Sequence, residues 1–194
     1  MPSSPRTTPT SPTLVRLGGT AAVFAGLCYG AAGYLDRPGI SAYIYALVSL
    51  LSVAVPVLFL WGLLGLRTQL PLATQTNFAS SAGVVGFVLG CFGAVLGAVG
   101  ALGLEETVIK EWWWVLLLEG LTLMGLAAVL KGGVRLLGAV VSISGALGWA
   151  SLLTDPAFSG VLVPMRSVHV VFAAAFCLSC VAWGTILVVP YGGH

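Results

Sequence analysis

Residues 78–103 read FASSAGVVGFVLGCFGAVLGAVGALG, a stretch without a single charge. A helix rises about 1.5 Å per residue, so a hydrocarbon core about 30 Å thick takes about 20 apolar residues to cross. The stretch is long enough, and its apolar residues run on rather than alternate, which excludes a strand of a membrane barrel. Its small residues are also periodic. Ala79, Gly83, Gly86, Gly90, Gly93, Gly97 and Gly100 recur at spacings of 4, 3, 4, 3, 4 and 3. A mean period of 3.5 keeps one stripe facing one neighbouring helix. In lipid such a stripe brings backbones close together. The expectation is a glycine zipper used for packing, with a helix that slides or bends as the alternative.

Five further runs have spanning length: 14–34, 42–66, 112–130, 134–153 and 168–189. They belong to a chain of 194 residues that is 58% hydrophobic and carries 8 Lys and Arg with 6 Asp and Glu. An ordinary soluble domain of this length would carry roughly 48 charged residues. The deficit excludes a soluble globular fold and a nucleic-acid binder, because no basic stripe could neutralise phosphates. Helices satisfy their own backbone groups in lipid. The fold class expected is therefore an all-α integral membrane protein. Six transmembrane helices would fill residues 14–189 as tandem antiparallel hairpins of helices 1–2, 3–4 and 5–6. Residues 1–13, with four prolines and no large hydrophobe, read as a disordered tail, and 190–194 as a short C-terminal one. The first run is too long for the apolar part of a signal peptide and lacks an A-x-A-like site, so it counts as a span.

Lys and Arg set orientation. Arg6, Arg16, Arg67, Lys131 and Arg135 fall on the side of the termini, and Arg37, Lys110 and Arg166 on the other. This bias points to a bacterial plasma membrane protein with both termini cytoplasmic. Tyr29, Tyr34, Tyr43, Tyr45, Trp112, Trp113, Trp114 and Trp149 gather near the outer ends, and the three adjacent tryptophans read as interfacial anchors. Aligning Arg16 with Arg135 brings Gly19 onto Gly138, Gly26 onto Gly145 and Asp36 onto Asp155 without a gap. Helices 1–2 and 5–6 thus read as copies of one hairpin, against chance similarity between Gly-rich spans. Pro56 should kink the second helix, as a static bend more than a hinge.

Glu119 is the one acid well inside a span. An isolated carboxylate there should be protonated, paired or open to a water-filled cavity. Thr122, one turn on, could share its face, and His169 or Arg166 could pair with it. Two readings stand: a site that binds a cation or substrate, or a structural tie between helices. Cys177 and Cys180 form a C-x-x-C within the last span. A redox role is the weaker reading, since no loop cysteine could shuttle electrons to them. With only His169 and the terminal His194, neither a bis-His haem within the membrane nor a His-rich zinc site is expected. Neither a Walker loop, a nucleophile elbow nor H-E-x-x-H occurs. No catalytic residue, metal or cofactor is expected. The leading expectation is a non-enzymatic bundle in contact with lipids and with other membrane subunits or copies of itself. The alternative is a small transporter or proton-coupled carrier using Glu119.

Overall fold

The structure, a computed structural model, describes residues 12–35, 41–69, 78–101, 108–131, 134–155 and 166–189. Six helices make up nearly all of it: α1 (Pro12–Leu35), α2 (Ala42–Gln69), α3 (Phe78–Ala101), α4 (Val108–Lys131), α5 (Arg135–Thr154) and α6 (Arg166–Val188). Each is long and apolar enough to cross a membrane, and no strand occurs among the described residues. The fold class read from the apolar runs is the fold observed. α1 begins at Pro12, so the last two residues expected in the tail are helical. Proline suits a first turn, where its missing N–H would have no partner anyway. Residues 1–11 and 190–194 lie outside the described part.

Each helix packs against the ones before and after it in the chain, and α1 also packs against α6, which closes the six into a ring. The tightest pairings are α3 with α4 and α1 with α2, the first two expected hairpins. α5 leans more on α4, and α6 more on α1, than the two lean on each other. The start of α1, the end of α2, the start of α5 and the end of α6 line one cavity of about 200 Å³. Both chain ends of the bundle are therefore on one face, here the terminal face. There Arg67 lays its guanidinium over the Phe87 ring, 4.7 Å from the centroid, at the point where α2 hands over to α3.

The interior of the ring is filled. Phe59, Leu63, Leu117, Leu121, Met124, Val141, Phe176 and Trp183 form one buried cluster drawn from α2, α4, α5 and α6. In lipid the hydrophobic effect does not drive helices together, so fit must do so. The glycines show where the fit is closest. A Cβ on Gly93 would lie 2.6 Å from the Leu117 backbone nitrogen and 2.7 Å from the Trp113 carbonyl oxygen of α4. A Cβ on Gly86 would lie 2.9 Å from the Gly120 carbonyl oxygen, and one on Gly120 would lie 2.5 Å from the Gly90 Cα. At Gly90 the nearest atom is instead a Leu63 side-chain methyl of α2, 3.0 Å away, and at Gly97 it is the Trp113 ring, 2.6 Å away. Gly83 and Gly100 are buried too.

The glycines that align between the first and fifth spans occupy corresponding seams. Gly19 and Gly26 of α1 face α6, at Gly184 and at Cys177 with Cys180. Gly138 and Gly145 of α5 face α4, at Gly125 with Ala128 and at Thr122. In both cases the helix docks on the one that precedes it around the ring. The following helices do not correspond as well: Trp61 is 47% exposed, whereas Trp183 is 0% exposed and packs on Gly62.

Candidate functional site

Polar side chains in the spans mostly answer to their own backbone. Thr20, Ser49, Ser52, Thr122, Ser144 and Thr185 each donate to the carbonyl four residues back. Two places depart from this habit, and each was only half visible in the sequence.

The first lies at the far face, where α5 ends. The last four carbonyls of a helix have no partner within it. Ser151 supplies one of these, and the His169 Nδ1 of α6 reaches it at 2.9 Å, while the Thr154 hydroxyl, bonded at 2.7 Å to the Ala150 carbonyl, stands 3.1 Å from it as a weaker second contact. A carbonyl only accepts, so Nδ1 is the donor in this contact. The Ser151 hydroxyl stands 3.5 Å from the same Nδ1, and the Tyr29 hydroxyl of α1 lies nearby. Three helices thus meet in one polar knot. Nδ1 is turned to the backbone, so the arrangement is a helix-end cap and not a base drawing a proton from a serine. Of these residues only His169 stood out in the sequence. Ser151 and Thr154 carried no more signal than two hydroxyls in the last turn before Asp155.

Tyr29 leads from the knot into an aromatic cluster. Its ring meets Trp114 edge-on at 4.9 Å and Phe176 at 5.5 Å, and Trp113 stacks on Trp114 at 4.1 Å. Trp112 is 56% exposed, whereas Trp113 and Trp114 are half-buried against the core, so the three adjacent rings part company. Successive residues turn about 100° around a helix, so Trp112 points outward, Trp113 toward α3 and Trp114 into the core. Tyr29, Trp113 and Trp114, with Val48 and Ser52 of α2, wall a groove of about 170 Å³. The groove exists because the first half of α2 is not tucked in. None of residues 42–54 is buried, and burial begins at Val55 and Pro56. Pro56 withholds one backbone hydrogen bond at that boundary.

The second place is Glu119. It lies two residues from Leu121, the middle of the Trp112–Leu130 span. Its direction follows from its neighbours. Leu117, Leu118, Leu121, Met124 and Ala128 of the same helix are buried in the core. Gly120 marks the seam with α3, and Gly125 marks the seam with α5. Seven residues before and after Glu119 stand Trp112 and Leu126, 56% and 40% exposed. A seven-residue step returns to within about 20° of the same direction. Glu119, itself half-buried, therefore lies on the outward stripe of α4, near the middle of the span. It makes no hydrogen bond or ion pair with any described residue. Neither the terminal-face cavity nor the far-face groove touches it. A charged side chain at the centre of a spanning helix costs about 2.5–3.5 kcal/mol to insert.

The other residues singled out in the sequence are distributed elsewhere. Thr122 turns to α5, where a Cβ on Gly145 would meet its hydroxyl, and that hydroxyl donates to the Leu118 carbonyl at 2.8 Å. His169 is engaged at Ser151. Arg166 opens α6, with its side chain outside the described part. Cys177 and Cys180 are free thiols set against α1, where Cβ atoms on Gly26 and Gly30 would meet them at 3.0–3.3 Å. Three or more His, Cys, Asp or Glu do not gather into a metal-binding group among the described residues. No protein-family model, no curated protein and no solved structure matches the chain.

Proposed function

We propose that this six-helix membrane protein is a non-enzymatic binding bundle, an accessory subunit or a self-associating one, whose contact surface is the outward face of α4. The observation that carries the reading is the placement of Glu119, at mid-span, on the exposed stripe between Trp112 and Leu126. Acids within membranes ordinarily turn inward, to a bundle interior or a watery cavity, and take a partner there. Here the inward positions of α4 are occupied by Leu117, Leu121 and Met124, and the acid is left for something outside the chain. Transport through Glu119 would instead need a path within the bundle, where the side chains of α4 are close-packed. The excess of Lys and Arg on the terminal face supports cytoplasmic termini in a bacterial-type plasma membrane.

A photo-crosslinking amino acid at Leu126, on the stripe, tests the reading against one at Ile143, an exposed position on α5. The expected result is a protein adduct from position 126 in native membranes and only lipid adducts from 143. Lipid adducts alone from both positions would remove the binding reading.

A further inference from the structure

Resting on that reading, the geometry points to one kind of occupant: we infer that the α4 face docks a spanning helix of a different protein that carries a Lys or Arg at mid-membrane depth.

Three observations lead there. First, depth excludes the membrane's own cations. Glu119 sits two residues from the middle of its span and seven from Trp112 at the outer end, so at about 1.5 Å per residue the nearer headgroups begin about 10 Å away. A glutamate side chain does not reach them. Secondly, among the described residues no Lys or Arg lies at that depth: Arg16, Arg67, Lys110, Lys131, Arg135 and Arg166 all fall within the first or last two turns of their helices. Thirdly, self-association through the stripe brings like to like. In an α4-to-α4 contact about a two-fold axis along the membrane normal, residues at one depth face their counterparts, so Glu119 would face Glu119 and gain no cationic partner. The face is also built of bulky side chains, Trp112, Leu126 and Leu130. The glycines that bring α4 close to its neighbours are all spent on α3 and α5. Close backbone approach is therefore not what this face offers. It offers one carboxyl group in an apolar rim, and its complement is one basic group in another apolar rim, where loss of either partner strands the other.

The experiment uses the full chain in native membranes, with the photo-crosslinker at Leu126 and either Glu119, Glu119→Gln or Glu119→Lys beside it. The heat stability of each variant in detergent is read in parallel. With Glu119 the expected adduct is a single protein whose spanning helix carries Lys or Arg within about one turn of mid-depth. With Glu119→Gln its yield should fall about tenfold or more, because the partner's cation is left unpaired in lipid, while heat stability is unchanged. With Glu119→Lys the adduct should vanish, and it should return when the partner's basic residue is replaced by Glu. Should Glu119→Gln prove unstable, that charge swap decides. An adduct with a second copy of this chain would overturn the inference while leaving the binding face in place. So would a partner without a spanning cation, an adduct indifferent to Glu119→Gln, or a swap that restores nothing. Lipid adducts alone would overturn both.

Discussion

Replacing Gly93 with alanine puts one methyl group into a close backbone seam of the bundle, and its cost can be worked from the contacts. The new Cβ would stand 2.6 Å from the Leu117 nitrogen, 2.7 Å from the Trp113 oxygen and 3.1 Å from the Leu116 carbonyl carbon, where ordinary contact is 3.4–4 Å. All three are backbone atoms of α4. No side chain can swing aside, so the helices must separate by most of an ångström along the seam. Inserting a methyl group into a packed core costs about 1–3 kcal/mol, and alanine returns up to about 1 kcal/mol through its helix propensity. The net loss is about 1–2 kcal/mol, or roughly 2–8 °C in melting temperature at 2–4 °C per kcal/mol for a chain of this size. Thermal unfolding of purified protein in a mild detergent, followed by tryptophan fluorescence, measures it. Gly120→Ala should behave alike, since its Cβ meets the Gly90 Cα and nitrogen, both at 2.5 Å. Gly90→Ala should cost less, because a Leu63 methyl can move. Gly33→Ala, with nothing within 4 Å of the added atom, should be neutral or slightly stabilising. A Gly93→Ala protein that melts at or above the wild type would refute the close-approach account of the α3–α4 seam.

Other parts of the bundle make separate claims. His169 Nδ1 is the main donor to the Ser151 carbonyl, so His169→Ala leaves a buried acceptor nearly bare and should cost about 1–3 kcal/mol, whereas Thr154→Val, whose shorter bond is to Ala150, should cost less; equal losses in the same melts would mean the histidine is not the cap. His169→Asn, which keeps a donor near the Nδ1 position, should retain most of the stability. Cys180 is 0% exposed and should resist a lipophilic maleimide in the folded protein, whereas a cysteine introduced for Leu178 should label; equal rates would argue that α1 and α6 part readily. Reporters fused after His194 should be active only as cytoplasmic ones, and those inserted in 156–165 only as external ones. An external C-terminus would reverse the orientation drawn from Lys and Arg.

The six spans were legible because lipid leaves the backbone one economical solution, and a run of about 20 apolar residues states it. The helices overshoot those runs by up to four residues, as at Val108 and Gln69, since helical backbone continues into the interface after apolar composition stops. What each helix turns inward was less legible, for a physical reason. When core and lipid are equally apolar, hydrophobic periodicity cannot tell one from the other, and α4 carries Leu, Val or Met nearly all the way round. Only its small residues break the symmetry. Gly120 and Gly125 mark the seams with α3 and α5, and at 100° per residue they lie about 140° apart. Glu119 falls about 100° from one and about 120° from the other, on the side opposite both. Two glycines five residues apart thus already implied that the acid between two leucine-rich turns faces away from its own bundle. Reading Glu119 with Thr122 and His169 gave weight to sequence spacing and to the shortage of other polar groups. The glycines gave direction, and direction decides whether a buried acid serves the chain that carries it or the one that comes to meet it.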